Sequence, residues 1–329
     1  MAIDKFPIRL KEARMMMGFS MDKLVERTGG FITKQSISRY ERGIMRPKHD
    51  AEAALAKALN IDEGYFHGTN IQIDLPMLRT TSDDKLTEED LAALEAKLSF
   101  WTEQYIDKEK KIGISTSFKN PIPKTSVSDL EGAIRAADLL RKRWNCGDGP
   151  LPSILRLLER KGIKIMAAEL PNDVWGVSTW ADKEHPLIVI DLRPEKTSTD
   201  RLRFTAAHEL AHLLLTFPKN LERKQIEKLC DKFACFFLFP KETFIDEMGS
   251  SQRSQLTLAE LIDLKEVYGV SVAAQVHEAW DLRMITREHY DWWYNERINK
   301  NLKETGWGDY KFPETIGRER RIESRIKDK

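Results

Sequence analysis

The residues of this 329-residue chain with the plainest chemistry are His208-Glu209-Leu210-Ala211-His212. They lie in an apolar run, Phe204 to Leu215, that has no Gly or Pro and favours helix. Residues four apart on a helix share a face, so two imidazoles can hold one metal ion. The glutamate between them can then reach a water on that metal and take its proton. Ala206, Ala207, Leu210, Ala211 and Leu213 to Leu215 make the segment apolar nearly all round, so burial is expected. Two His and one Glu in a buried helix need polar partners, and a metal supplies them.

A catalytic zinc usually keeps three protein ligands and one open position. Downstream, Gln225 to Phe239 reads as a second helix, closed by Pro240, with Glu227 and Asp231 on one face. Lys224, Lys228 and Lys232 lie beside them, which on its own would also suit an ordinary charged helix. The pattern E-x-x-x-D after H-E-x-x-H resembles the gluzincin arrangement. That resemblance implies Zn2+ bound by His208, His212 and Glu227, with Glu209 as catalytic base. It also implies Asp231 as the carboxylate that accepts a hydrogen bond from a ligating His and fixes its ring. Glu222 is the alternative third ligand. Cys230 and Cys235 read as small buried apolar residues. An oxyanion-stabilising residue is left open among His185, Tyr268 and His277.

The surrounding letters are more specific. Arg201-Leu-Arg-Phe-Thr-Ala-Ala-His-Glu-Leu-Ala-His212, followed by Glu227-x-x-Cys-Asp-x-Phe-Ala-x-x-x-Leu-x-Pro240, resembles the ImmA/IrrE metallopeptidase family. Cys230 stands where that pattern has Ala, and the chain is one residue shorter after Leu238. The likeness extends upstream to Asp129 to Arg135, Gly149-Pro150 and Glu159 to Ile163. Downstream it takes in Tyr268 to Val272 and Gly306-Trp307, about the C-terminal two-thirds of the chain in all. It implies a zinc endopeptidase whose substrate is a repressor or regulator protein.

Residues 8 to 66 have a different texture, short helices alternating with Gly turns. Ile8 to Met17 reads as a helix with Leu10 and Ala13 inward. Gly18 stops it, and Ser20 caps Met21 to Arg27. After Gly29-Gly30, Thr33 caps Lys34 to Arg42, and Asp50 to Leu59 forms a further helix. Two short helices with a Gly turn between them describe a helix-turn-helix, whose second helix enters the major groove by its N-terminal residues. Gln35 suits an adenine edge and Arg39 a guanine or a phosphate. Thr33, Lys34, Ser36 and Ser38 suit backbone or base contacts. Residues 1 to 48 hold 11 Lys plus Arg against 5 Asp plus Glu, a local charge of +6. Arg9-Leu-Lys-x-Ala-Arg14, Gly18-Phe-Ser20, Ile37-Ser-Arg-Tyr-Glu-Arg-Gly43, Pro47 and Leu55-Ala-Lys-Ala-Leu59 resemble the XRE/Cro family of DNA-binding domains. That resemblance implies that Glu41 bonds Arg9 or Arg14 inside the fold.

The elements that must position these residues follow. The expected fold is α+β, an all-α helix-turn-helix domain followed by a mainly helical, gluzincin-like domain with a small antiparallel sheet. Strand-like runs are Ile163 to Ala167, Trp175 to Trp180 and Leu187 to Leu192. The expected domains are 1–68 for DNA binding, 69–128 as a linker with an amphipathic helix at Leu91 to Lys110, 129–316 for the peptidase, and 317–329 as a charged, disordered tail. The Trp-rich stretch Trp280 to Trp307 should pack on the peptidase.

Composition sets the outer limits. The chain is 41% hydrophobic and 32% charged with net charge +1, so it carries no strong overall electrostatic instruction. No stretch is apolar enough for a membrane span. The N-terminus lacks a signal-peptide core, and the three cysteines fit a reducing cytosol. A cytoplasmic homodimer on double-stranded DNA is expected. Two functions fit: a DNA-binding regulator that cleaves a partner repressor, or a non-proteolytic regulator whose zinc domain senses a ligand or partner.

Overall fold

The computed structural model describes residues 4–68, 71–74, 87–114, 118–123, 125–170, 174–193, 197–249 and 251–328. The helices and strands are α1 (Phe6–Met16), α2 (Met21–Arg27), α3 (Lys34–Glu41), α4 (His49–Leu59), β1 (Ile73–Asp74), α5 (Glu88–Lys111), α6 (Leu130–Trp144), α7 (Ile154–Arg160), β2 (Lys164–Ala167), β3 (Gly176–Ala181), β4 (His185–Ile190), α8 (Thr199–Leu214), α9 (Arg223–Leu238), α10 (Lys241–Met248), α11 (Leu258–Tyr268), α12 (Val272–Asp281), α13 (Arg287–Trp293) and α14 (Arg318–Lys327). Contacts divide them into two compact units. One is Met1–Ser115 with Trp180–Lys183 and Ile322–Lys329, and the other is Thr116–Thr179 with Glu184–Arg321.

The first unit is built from α1 to α5. Leu10, Ala13, Leu24, Ile37, Leu55 and Leu59 recur at helical spacing and form its buried centre. Ser20 and Thr33 accept hydrogen bonds from Lys23 N and Ser36 N, which starts α2 and α3 where the sequence places them. Between these helices Gly29 and Gly30 have φ of +66° and +75°, with open space around each. Conformation, not room, therefore requires glycine there. Arg14 Nε and Nη2 donate to Glu41 at 2.6 and 2.9 Å, one of the two pairings the XRE/Cro resemblance allows. Arg9 goes elsewhere: it ion-pairs with Glu103 of α5, donates to Tyr65 O at 2.9 Å and lies over the Tyr65 ring. The amphipathic helix expected in the linker is thus α5, packed on α1. Much of the polar stretch before it, residues 69–70 and 75–86, lies outside the described residues.

Glu12, on the same side of α1, gives a measurable pH effect. Its Oε2 is buried with no hydrogen-bond partner among the described residues. Burial, reinforced by Glu95 and Glu103 and opposed by Arg9, pushes its carboxyl from 4.5 up to about 7. A raised carboxyl favours the fold while protonated, so this contribution is present below about pH 4.5 and is lost as pH rises through 7. Glu12→Gln is expected to stabilise the chain at pH 8 and to leave it little changed at pH 4. The side chain is only half-buried, so the gain is on the order of 1 kcal/mol, less than the shift alone implies. Thermal melts at the two pH values measure it. Equal stability of the two proteins at pH 8 would contradict it.

The second unit holds the sheet and α6 to α13. The sheet order is β3-β4-β2, while β1 pairs with Trp180–Ala181 within the first unit. Leu187 to Ile190 of β4 are buried on both faces, as the centre of a sheet requires. β3 turns into β4 at Asp182-Lys183, where φ is 50° and 60°. The sheet is mixed rather than antiparallel, because β2 runs parallel to β4, Ile165 opposite Ile188. After β2 the chain crosses to the far side of β4, so β2 and β3 are not neighbours, although consecutive strands more often are.

Helices α8 and α9 pack closely, and α9 also packs on α6. Phe233, Phe236 and Phe237 of α9 are fully buried. Arg203 anchors α8 from below: buried, it ion-pairs with Glu314, donates to Leu151 O at 2.9 Å and lies over the Tyr310 ring. The described part of residues 118–128, the end of the expected linker, bridges to the end of α8, with Thr216 N donating to Thr125 O and Val127 N to Thr216 O. The expected disordered tail is instead helical as α14. Glu159 accepts from Gly317 N and Arg318 N at its start, and Ile322 is 2% exposed. Composition misled there, because the cap and the buried isoleucine are tertiary features. In the Trp-rich stretch Trp293 and Trp307 are buried, whereas Trp292 is 44% exposed. No helix among the described residues is long and apolar enough to cross a membrane.

Candidate metal centre and helix-turn-helix surface

Helix α8 carries His208 and His212 one turn apart, and α9 brings Glu227 against them. His208 Nε2 lies 3.1 Å from His212 Nε2 and 3.2 Å from Glu227 Oε2, and His212 Nε2 lies 3.5 Å from the same oxygen. Three donor atoms therefore surround one point. Zinc bonds of about 2.0 to 2.2 Å in a tetrahedron put ligand atoms about 3.3 Å apart, so the triangle has the dimensions of a zinc face. Both imidazoles present Nε2, and the third donor is a carboxylate, a set that zinc accepts. Among the described residues this is the one His/Cys/Asp/Glu group close enough to share a metal.

The electrostatics favour a cation at that point. Burial works against a charged imidazole, but Asp231, Glu227 and Glu209 outweigh it and carry His208 up to about 10. Burial would raise the Glu227 carboxyl, yet the two imidazoles hold it well below the usual range. Asp231 Oδ1 is 2.8 Å from His208 Nδ1, the nitrogen away from the triangle. On His212 the matching nitrogen lies 3.7 Å from Cys230 Sγ. Burial and the nearby carboxylates push that thiol up, so it is neutral. Glu222, the alternative ligand, is outside the group and caps α9 in a reciprocal box with Gln225. Of the flanking lysines Lys232 is buried, compensated by Glu278 at 2.6 Å and Asp281 at 2.5 Å.

Glu209 faces the sheet. Ser178 Oγ of β3 donates to its Oε2 at 2.6 Å. Gly176 makes this approach fit, since a Cβ there would sit 2.5 Å from Thr205 Cγ2 and 3.2 Å from Glu209 Cγ. Sequence reasoning does not single out Ser178, for a serine in a strand carries no local signal. Of the three residues left open for an oxyanion, Tyr268 stacks on Phe239 and donates to Glu247. His277 Nδ1 lies 3.3 Å from Tyr290 Oη, and His185 begins β4. None of them belongs to the three-residue group.

On the first unit, Thr33, Lys34, Gln35 and Arg39 of the α3 region are exposed, and Ser36 and Ser38 are half-buried. Ile37 and Tyr40 take the opposite face into the core. The Thr33 hydroxyl is engaged with Ser36, and Lys34 Nζ with Asp22 at 2.7 Å. Gln35 and Arg39 keep their side chains free among the described residues. Phe31, just before α3, is 64% exposed, which sequence reading also passes over.

Comparison with known families gives two matches. Residues 10–66 match the helix-turn-helix family, and residues 158–279 match the M78 peptidase family, described as an IrrE N-terminal-like domain. The chain therefore carries both domains, in that order. No curated protein matches it.

Proposed function

We propose that this chain, which joins a helix-turn-helix domain to an IrrE N-terminal-like domain of the M78 peptidases, is a DNA-binding regulator carrying a zinc-dependent endopeptidase that cuts a partner repressor protein. The observation that carries this reading is the donor triangle of His208, His212 and Glu227 beside Glu209. A zinc ion held there would supply Lewis acidity and lower the pKa of a water. Asp231 accepts the Nδ1 hydrogen of His208 and keeps its Nε2 lone pair on the triangle. Glu209 acts as the general base. Ser178 donates to Oε2, which orients the carboxylate and leaves Oε1 as the basic atom.

The helix-turn-helix directs this activity to DNA. Two chains are proposed to sit on half-sites about one helical turn apart, with α3 in the major groove. Gln35 reads a base edge, Arg39 a guanine or phosphate, and Thr33, Lys34, Ser36 and Ser38 fix the register on the backbone. Footprinting of the whole chain tests this part. Affinity should fall steeply with salt, because phosphate neutralisation releases counterions. Gln35→Ala is expected to weaken specific DNA by about 1 to 3 kcal/mol and random DNA hardly at all. Equal losses on both would remove Gln35 from the bases. In cells, a target-promoter reporter should respond to Glu209→Gln and to Gln35→Ala in different ways. The first removes cleavage and the second removes addressing.

A further inference from the structure

We infer that Cys230 is a positioning residue, its sulfur accepting the Nδ1 hydrogen of His212 as Asp231 accepts that of His208. This rests on the zinc reading above and deepens it. Two consecutive residues of α9 then orient the two imidazoles of α8, at 3.7 Å for Cys230 Sγ and 2.8 Å for Asp231 Oδ1. A neutral imidazole that ligates through Nε2 must carry its hydrogen on Nδ1, and that hydrogen needs an acceptor. Among the described residues, Cys230 Sγ is the acceptor that His212 Nδ1 has, and Cys230 is fully buried against the ring.

The geometry separates this role from two others. The sulfur faces Nδ1, on the far side of the ring from the triangle, whereas a metal ligand would have to face the triangle itself. A residue that only fills space would be indifferent to which ring nitrogen carries the hydrogen. Sulfur is a weaker acceptor than a carboxylate. His212 is therefore the more loosely held of the two histidines, and the loss on removing the thiol falls at the low end for groups that orient a ligand.

The test uses the full-length protein and zinc titrated against a chelating dye. Cys230→Ala is expected to bind zinc about 10-fold more weakly than the parent, while the metal-free protein still folds and melts only slightly lower, the loss expected for removing one small buried group. In the zinc-loaded parent, the His212 ring should show by NMR a protected Nδ1 hydrogen, and Cys230→Ala should lose that protection. Replacing zinc with cobalt should give no thiolate-to-metal charge-transfer band. Unchanged zinc affinity in Cys230→Ala, or a thiolate band with cobalt, would overturn the inference and leave the zinc reading standing. A parent protein that binds no zinc at all would overturn both. If the alanine variant fails to fold, the parent's NMR spectrum decides alone: an exchanging, unprotected Nδ1 hydrogen on His212 would end the proposal.

Discussion

Glu209→Gln is expected to abolish peptide hydrolysis, by at least about 100-fold, while zinc content and DNA binding remain those of the parent. The amide is nearly isosteric with the carboxylate. It can still receive the hydrogen bond from Ser178 through its oxygen, so the contact between β3 and α8 should survive. What it cannot do is take a proton from water. The loss should therefore appear in turnover and not in folding, metal content or binding to DNA. Co-expression with a candidate repressor substrate, followed by gel and by promoter reporter, measures it. If the parent and Glu209→Gln regulate the promoter equally and no cleavage is seen, the zinc domain acts as a sensor of a ligand or partner.

The second large effect concerns the metal. One zinc per chain is expected in the purified parent, and close to none in Glu227→Ala after dialysis. Glu227 Oε2 stands within 3.5 Å of both Nε2 atoms, so its removal takes away a full ligand and leaves two imidazoles facing one point. Asp231→Asn should keep the metal but weaken it by about 10- to 100-fold, because the ring it orients still ligates. Elemental analysis and competition titration read the two cases separately. Full zinc occupancy in Glu227→Ala would take Glu227 out of the ligand set. Equal losses in the two variants would mean that Asp231 does more than orient His208.

Much of this arrangement is legible in the letters because its signals are local. A four-residue spacing on an apolar run predicts α8 and its paired imidazoles, and Pro240 marks where α9 has to end. Gly18, Ser20, Gly29-Gly30 and Thr33 punctuate the helix-turn-helix within a residue or two of its observed bounds. What escapes is non-local. The direction of β2 depends on which side of β4 the next strand is laid, and no short stretch of sequence encodes that. The Ser178–Glu209 bond joins residues 31 apart. Lys232 looks like a surface residue until Glu278 and Asp281, far along the chain, surround it. The segment after Gly317 is nearly all charge, yet it is helical, with the carboxylate of Glu159, far along the chain, accepting hydrogen bonds at its start. Cys230 is read correctly as buried, but burial conceals that its sulfur faces a ring nitrogen.

The central claim, that this DNA-binding chain is a working endopeptidase, is tested most directly by new protein N-termini in cells that express it. N-terminal labelling with mass spectrometry should find at least one internal cleavage site in a DNA-binding repressor when the parent protein is present. That site should be absent with Glu209→Gln at the same expression level, and absent again with Glu227→Ala. The same set of N-termini in all three strains would contradict the claim.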